Sequence, residues 1–170
     1  INKTGIGLLA GDTSTVTISA TGVFSDKNVG TGKMVTLTGS VSGADAANYS
    51  FTHQSSTTAD ITAKALTATA SAANKVYDGT TIASTTLYLS GLVGSETLNS
   101  TVGSTFDTKD VGTGKTVTVN SIALSDGTNG GLAANYSLGV GQTTTADITA
   151  RAITVTGITA SNKVYDGQTV

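Results

Sequence analysis

Gly112-Thr-Gly-Lys-Thr116 has the residue types of a phosphate-binding loop, in which glycine N–H groups cradle phosphate and a lysine and a hydroxyl follow. The spacing is wrong for that chemistry. A phosphate loop needs a further glycine five positions before Gly114, where Lys109 stands, and a helix after it, where Thr116-Val-Thr-Val119 reads as a strand. The related stretch Gly30-Thr-Gly-Lys-Met34 has methionine in place of the hydroxyl. Both stretches are therefore expected to be Gly-rich hairpin turns.

Tyr77-Asp78-Gly79 and Tyr165-Asp166-Gly167 have the makings of a ligand-binding corner. Asp-Gly also favours tight turns, because glycine tolerates positive φ, and tyrosine supplies a large amphipathic anchor, so a structural corner is expected. Asn48-Tyr49 and Asn135-Tyr136 are read the same way, with asparagine bonding local backbone and tyrosine on the edge of the core. The carboxylates that recur, Asp60 with Asp147 and Asp78 with Asp166, could share calcium at a domain joint. Neither an EF-hand loop nor a Gly-Gly-x-Gly-x-Asp repeat is present, so hydrogen-bonded turn carboxylates are expected instead. Around the Gly-Thr-Gly stretches, Asp107 aligns with Ser25 and Asp26 with Thr108, so those carboxylates do not persist by position. Lys33/Lys115, Asn48/Asn135 and Asp60/Asp147 are the residue types of an isopeptide crosslink, which needs all three buried together. The Gly-flanked Lys33 reads as an exposed turn residue, against that chemistry.

His53 is the one histidine, aligns near Val140, and is expected on a surface strand. With one His and no Cys, thiol, serine-triad and metal-hydrolase chemistry have almost no material. The chain is expected not to be an enzyme, and no catalytic, cofactor-binding or metal-ligating residue is assigned. Thr-x-Thr pairs (Thr36/Thr38, Thr67/Thr69, Thr116/Thr118, Thr154/Thr156) read as exposed sheet faces, with a flat glycan- or ice-binding face as the alternative. Asn48-Tyr-Ser50, Asn99-Ser-Thr101 and Asn135-Tyr-Ser137 fit the N-glycosylation pattern by composition alone.

The elements that carry these residues repeat. Phe24-Ser-Asp-Lys-Asn-Val-Gly-Thr-Gly-Lys33 returns 82 positions later as Phe106-Asp-Thr-Lys-Asp-Val-Gly-Thr-Gly-Lys115. Thr58-Ala-Asp-Ile-Thr-Ala63 returns after 87 as Thr145 to Ala150, and Asn74-Lys-Val-Tyr-Asp-Gly79 after 88 as Asn162 to Gly167. The drift in offset means loop insertions inside one unit; Ser121 to Gly131 is expected to be a Gly/Asn/Asp-rich hairpin tip. Within a unit, Val16, Ile18 and Ala20 alternate with Thr15, Thr17 and Ser19, and Val35/Leu37 and Val117/Val119 alternate with threonine. That period of two describes half-buried antiparallel strands. The fold expected is all-β: tandem, small, antiparallel β-sandwich-like domains joined end to end, with a β-solenoid as the alternative. A solenoid rung of roughly 20 residues does not match so long a unit.

At Lys64-Ala65 and Arg151-Ala152 the alternation changes phase by one residue, which turns the other face to a core. These are taken as joints, stiff because they are short and lack Gly and Pro. The division is residues 1–64, a repeat unit without its first strand; 65–151, a complete unit; and 152–170, the first strand and turn of a following unit. Thr169-Val170 followed by Ile1-Asn2 would continue the repeat, which suggests a two-repeat section whose C-terminal segment completes a neighbouring copy's first unit, by strand addition or by continuing the polypeptide.

Composition agrees with an ordered, weakly charged β protein. The 170 residues carry 12% charged side chains, about half the usual share, a net charge of −2, 21 Gly and no Pro, Cys or Trp. Such a chain has no electrostatic footprint for nucleic acid and no apolar run near the ~20 residues that span a bilayer.

Lys75-Val-Tyr-Asp-Gly79 and Lys163-Val-Tyr-Asp-Gly167, with Lys27 to Lys33, Gly43 to Tyr49 and Ala59 to Thr67, resemble the YDG/MBG family of tandem repeats in bacterial adhesins. Gly131-Leu-Ala-Ala-Asn-Tyr136 departs from that pattern, Leu132 standing where Asp45 does. The resemblance implies arrays in large filamentous-haemagglutinin-like exoproteins and an extracellular, cell-surface stalk or filament shaft with a biofilm or adhesion role. It brings no catalytic residues and no cofactor. The partners it implies are neighbouring repeats of the same polypeptide or fibre. Host or matrix glycans are the second class, for a carbohydrate- or mucin-binding module in which Tyr88 is the candidate aromatic.

Overall fold

The structure, a computed structural model, describes residues 7–169. It is all-β, built from small, mainly antiparallel sheets, with neither a closed barrel nor a solenoid among the described residues. The strands are β1 (Thr17–Phe24), β2 (Gly30–Ser42), β3 (Ser56–Ile61), β4 (Lys64–Ala65), β5 (Thr67–Ala72) and β6 (Lys75–Val76). They continue with β7 (Ile82–Ala83), β8 (Thr85–Ser90), β9 (Leu98–Phe106), β10 (Gly112–Asp126), β11 (Tyr136–Ser137) and β12 (Thr143–Thr149). Short 3-10 turns lie at Ala10–Asp12, Ala46–Asn48 and Ala133–Asn135. One sheet has the order β1-β2-β3 and another β6-β12-β10-β9-β7, while β11 pairs with β4 and β5 with β8.

The chain divides into two compact units. One takes the residues up to Ala68, Leu89–Thr101 and Ala123–Gly139; the other takes Thr69–Tyr88, Val102–Ile122 and Val140 onward. Residues 65–151 thus contribute to both, through the long strands β9 and β10.

The two sequence copies have the same strand register. In β2–β3, Gly30 faces Ile61, Lys33 faces Ala59 and Val35 faces Thr57; in β10–β12, Gly112 faces Ile148, Lys115 faces Ala146 and Val117 faces Thr144. Both ladders slip between the glycine and the lysine, a β-bulge. The alternation that marks strands in the sequence sets burial here: Val35, Val117 and Val119 are buried while Thr36, Thr38 and Thr116 face outward. In the second unit Ala83, Phe106, Val117, Ala146 and Ile148 form a core, with Ala72 and Tyr77 packed on it. In the first, Val16, Val35, Leu66 and Tyr136 are buried.

Three local expectations need correction. Ser121 to Gly131 is not a hairpin tip along its whole length. β10 runs on to Asp126 because Ile122 and Leu124 keep the alternation, and the reversal is confined to Gly127–Gly130, closed by the Gly131 N–H on the Thr128 carbonyl and Asn129 at φ 57°. His53 is exposed but precedes β3, stacked on Phe51 at 5.7 Å between ring centroids. Two pairings, β4–β11 and β6–β12, are parallel, and period-two alternation carries no information about direction. The suggested continuation through Val170, Ile1 and Asn2 falls outside the described residues. Of the trailing segment, residues 152–169 form no strand and are exposed throughout.

Candidate functional site

The recurring residues build three small devices, two of them present in both copies and the third in part. The first is the bulge. Gly32 and Gly114 both have φ near +59°, a left-handed conformation that glycine adopts without a Cβ penalty. Their N–H groups point at a carboxylate: Gly32 donates to Asp60 Oδ1 at 2.7 Å and Gly114 to Asp147 Oδ1 at 2.7 Å. The stretch that resembles a phosphate loop is thus a bulged strand whose N–H is already held by an aspartate.

Beside each bulge sits a lysine pair. Lys33 is paired with Asp26, and Lys115 with Asp107 at 3.1 Å. Each lysine holds its aspartate below the ordinary carboxylate range, chiefly by donating a hydrogen bond to it. Reading Lys33 as an exposed turn residue is incorrect: its side chain keeps 12% of its accessible surface, because it folds back over the bulge onto Asp26. The carboxylate moves by one position between copies while the ion pair persists.

The second device is the Tyr-Asp-Gly corner. Asp78 Oδ1 accepts the Thr80 N–H at 2.8 Å, its hydroxyl at 2.9 Å and Lys75 Nζ at 2.9 Å; Gly79 turns the chain at φ 81°. Lys75 also donates to the carbonyls of Thr80 and Ile82 and lies 5.5 Å from the Phe106 ring centroid. These bonds, Lys75 first, pull Asp78 from 3.8 to about 2. The corner at Asp166 forms in the same way, with Lys163 Nζ at 2.7 Å, the Gln168 N–H at 2.9 Å and Gly167 at φ 72°. Yet Tyr165 is 93% exposed, whereas Tyr77 packs on the second unit's core. The turn therefore forms from local bonds alone and does not need the core.

The third device lies within the first unit and clasps residues of one sequence copy to those of the next. Tyr136 donates its hydroxyl to Glu96 at 2.5 Å and accepts the Val93 N–H at 3.1 Å; Lys27 completes the cluster on Glu96 at 3.1 Å. The Tyr136 hydroxyl and Lys27 lower the Glu96 pKa, and Glu96 raises that of Tyr136. Asn135 accepts the Val29 N–H at 2.9 Å and donates to Asn28 at 3.1 Å. Asn135 was expected to bond local backbone; it bonds a loop 106 residues away in sequence. β4 runs parallel to β11, and Leu66 donates its N–H to Ser137 at 2.8 Å. A cleft of about 270 Å3 is lined by Lys27, Val29, Lys64, Val93, Glu96 and Tyr136.

Half of that clasp is present again around Tyr49, which donates to Asp12 at 2.6 Å and accepts the Leu9 N–H at 3.2 Å. Leu9 and Asp12 precede Val93 and Glu96 by 84 positions, as Gly7-Leu8 precede Gly91-Leu92, an additional correspondence in the sequence. Glu96 and Asp12 carry no motif of their own, and the signal that finds them is this displaced Gly-Leu pair.

Of the remaining singled-out residues, Tyr88 is 62% exposed on β8, and the first threonine of each Thr-x-Thr pair faces solvent. Among the described residues no group of three or more His, Asp or Glu side chains stands close enough to hold a metal ion. The recurring aspartates Asp60, Asp147, Asp78 and Asp166 are each engaged in a turn or a bulge, as described above.

The YDG domain family matches residues 1–59 and again 62–146. No curated protein and no solved structure matches the chain.

Proposed function

The chain belongs to the YDG domain family, and from that premise we propose that it is a structural module: part of the stalk or filament shaft of a bacterial extracellular adhesin or biofilm fibre. Its role is to project or connect through stiff tandem β repeats at the cell surface. The observation that carries this reading is the clasp, in which Asn135 and Glu96 of one repeat engage Asn28, Val29 and Lys27 of the other, beside β11 paired with β4 at the joint itself. Repeat residues spent on joints make length and stiffness the product, and stability then comes from nearest-neighbour interfaces. Asp60, Asp78, Lys33 and Tyr136 are engaged in turns, bulges and joints, the use a shaft makes of polar residues, and the reading assigns no catalysis. Its partners are neighbouring repeats of the same polypeptide or fibre.

One observation favours a second reading as a carbohydrate- or mucin-binding module: Tyr88 stands exposed on β8 beside the exposed Thr86, an aromatic platform of the kind that sugars stack on. A glycan array probed with the chain separates the two. The shaft reading expects no saturable binding; saturable binding that Tyr88→Ala abolishes would overturn it in favour of the second.

A further inference from the structure

We propose that copies of this chain associate head to tail, the clasp found inside one copy being rebuilt between the second repeat and trailing segment of one copy and the first repeat of the next. This deepens the shaft reading and rests on it for the idea that the joint between repeats is the working part.

The donor side of the internal clasp is Lys27-Asn28-Val29 and Lys64-Ala65-Leu66. One repeat later the same positions are Lys109-Asp110-Val111 and Arg151-Ala152-Ile153. The receiving side is Val93, Glu96, Asn135 and Tyr136-Ser137; one repeat earlier it is Leu9, Asp12, Asn48 and Tyr49-Ser50. Both of these second sets are on the surface. Leu66 is 6% exposed and Ile153 89%; Val29 is half-buried and Val111 exposed; Leu9 and Asn48 are exposed.

The chemistry matches position by position. Lys109 meets Asp12 where Lys27 meets Glu96, so the charges are complementary. Asp110 replaces Asn28, and its carboxylate accepts from the Asn48 amide as the Asn28 carbonyl accepts from Asn135. Tyr49 already holds Asp12 and the Leu9 N–H in the arrangement by which Tyr136 holds Glu96 and Val93, so the receiving surface is pre-assembled.

The trailing segment continues the match. Asn74 accepts the Asp147 N–H, β6 runs parallel to β12, and the Tyr77 N–H donates to Thr149. The corresponding donor is Asn162-Lys-Val-Tyr165 and the corresponding edge is Asp60-Ile61-Thr62. The apolar counterpart is there as well. Phe106, under the Lys75–Tyr77 segment, is 3% exposed, while Phe24 at the same repeat position is 37% exposed and ready for Tyr165. The Asp166 turn is already formed, so seating it orders little more than the strand before it. Main-chain pairing with a side-chain anchor is strand addition. Because donor and receiver are different surfaces, the contact is heterologous and each added copy leaves a donor and a receiver free until a ring closes.

Light scattering coupled to size exclusion, run on the full chain from micromolar up to about 1 mM, tests this. The expected result is a mass that climbs past the dimer with concentration. Ile153→Asp abolishes the climb while leaving thermal unfolding of the dilute chain unchanged, since Ile153 is 89% exposed in a single copy; Lys109→Glu abolishes it as well, at a cost to the dilute chain, because Lys109 also donates to the Tyr77 hydroxyl at 3.4 Å and pairs with Asp110 at 3.6 Å. A wild-type chain that stays monomeric, a species that stops at two, or growth that Ile153→Asp leaves untouched overturns the proposal. None of those outcomes touches the shaft reading, which is tested on covalently joined repeats.

Discussion

Asp78 shows how a motif residue spends its chemistry on structure. Its carboxylate is pulled to about 2 by Lys75 and the Thr80 N–H and hydroxyl. A depressed folded pKa stabilises the fold above the unfolded value of 3.8, and that contribution is lost as pH falls toward about 2. Urea midpoints measured between pH 5 and pH 2 are expected to fall across that window in the wild type. Asp78→Asn lowers the midpoint at pH 5 and removes this part of the acid dependence; an unchanged acid limb would show that the Asp78 bonds contribute nothing. The residue scale is also where the sequence is hardest to read. Asp-Gly announces a turn by its backbone preference alone. The Lys33–Asp26 and Lys115–Asp107 pairs are hidden, because a long lysine reaches a carboxylate at either of two neighbouring positions and alignment sees only Ser25 against Asp107. Asn135 was misread for a related reason: a local partner is the default for asparagine, and a partner 106 residues away leaves no local trace.

At the scale of elements, alternation of Val, Ile and Leu with threonine is a direct record of which face is buried, and β1, β2 and β10 were legible for that reason. The β10 extension through Ser121–Asp126 was obscured by the turn residues that follow it, and the short parallel pairs β4–β11 and β6–β12 were invisible because four residues carry no pattern. The bulge, by contrast, is written twice in Gly-Thr-Gly-Lys. At φ 59° a Cβ on Gly114 is strained, so Gly114→Ala is expected to cost about 1–2 kcal/mol and to lower the urea midpoint without changing the slope. Core strands test the repeat asymmetry. Ile148 is 1% exposed, so Ile148→Ala is expected to cost about 2–5 kcal/mol. Ile61→Ala, at the half-buried equivalent, costs clearly less in dilute solution. Equal costs would contradict the more open first repeat.

On the scale of the whole molecule, the sequence announced repetition plainly, through motifs returning after 82 to 88 residues, and with it the all-β class. It did not disclose that the recurring polar residues converge on a joint. That requires knowing that Asn135 meets Val29 and that Lys27 meets Glu96, contacts set by chain folding and not by spacing. In the proposed shaft, these joints are what make the repeats stiff. Small-angle X-ray scattering of covalently fused copies, two, three and four in tandem, tests this most directly. A shaft predicts a maximum dimension that rises in proportion to the number of copies. Growth with an exponent of ~0.5, the behaviour of units on flexible linkers, would contradict it.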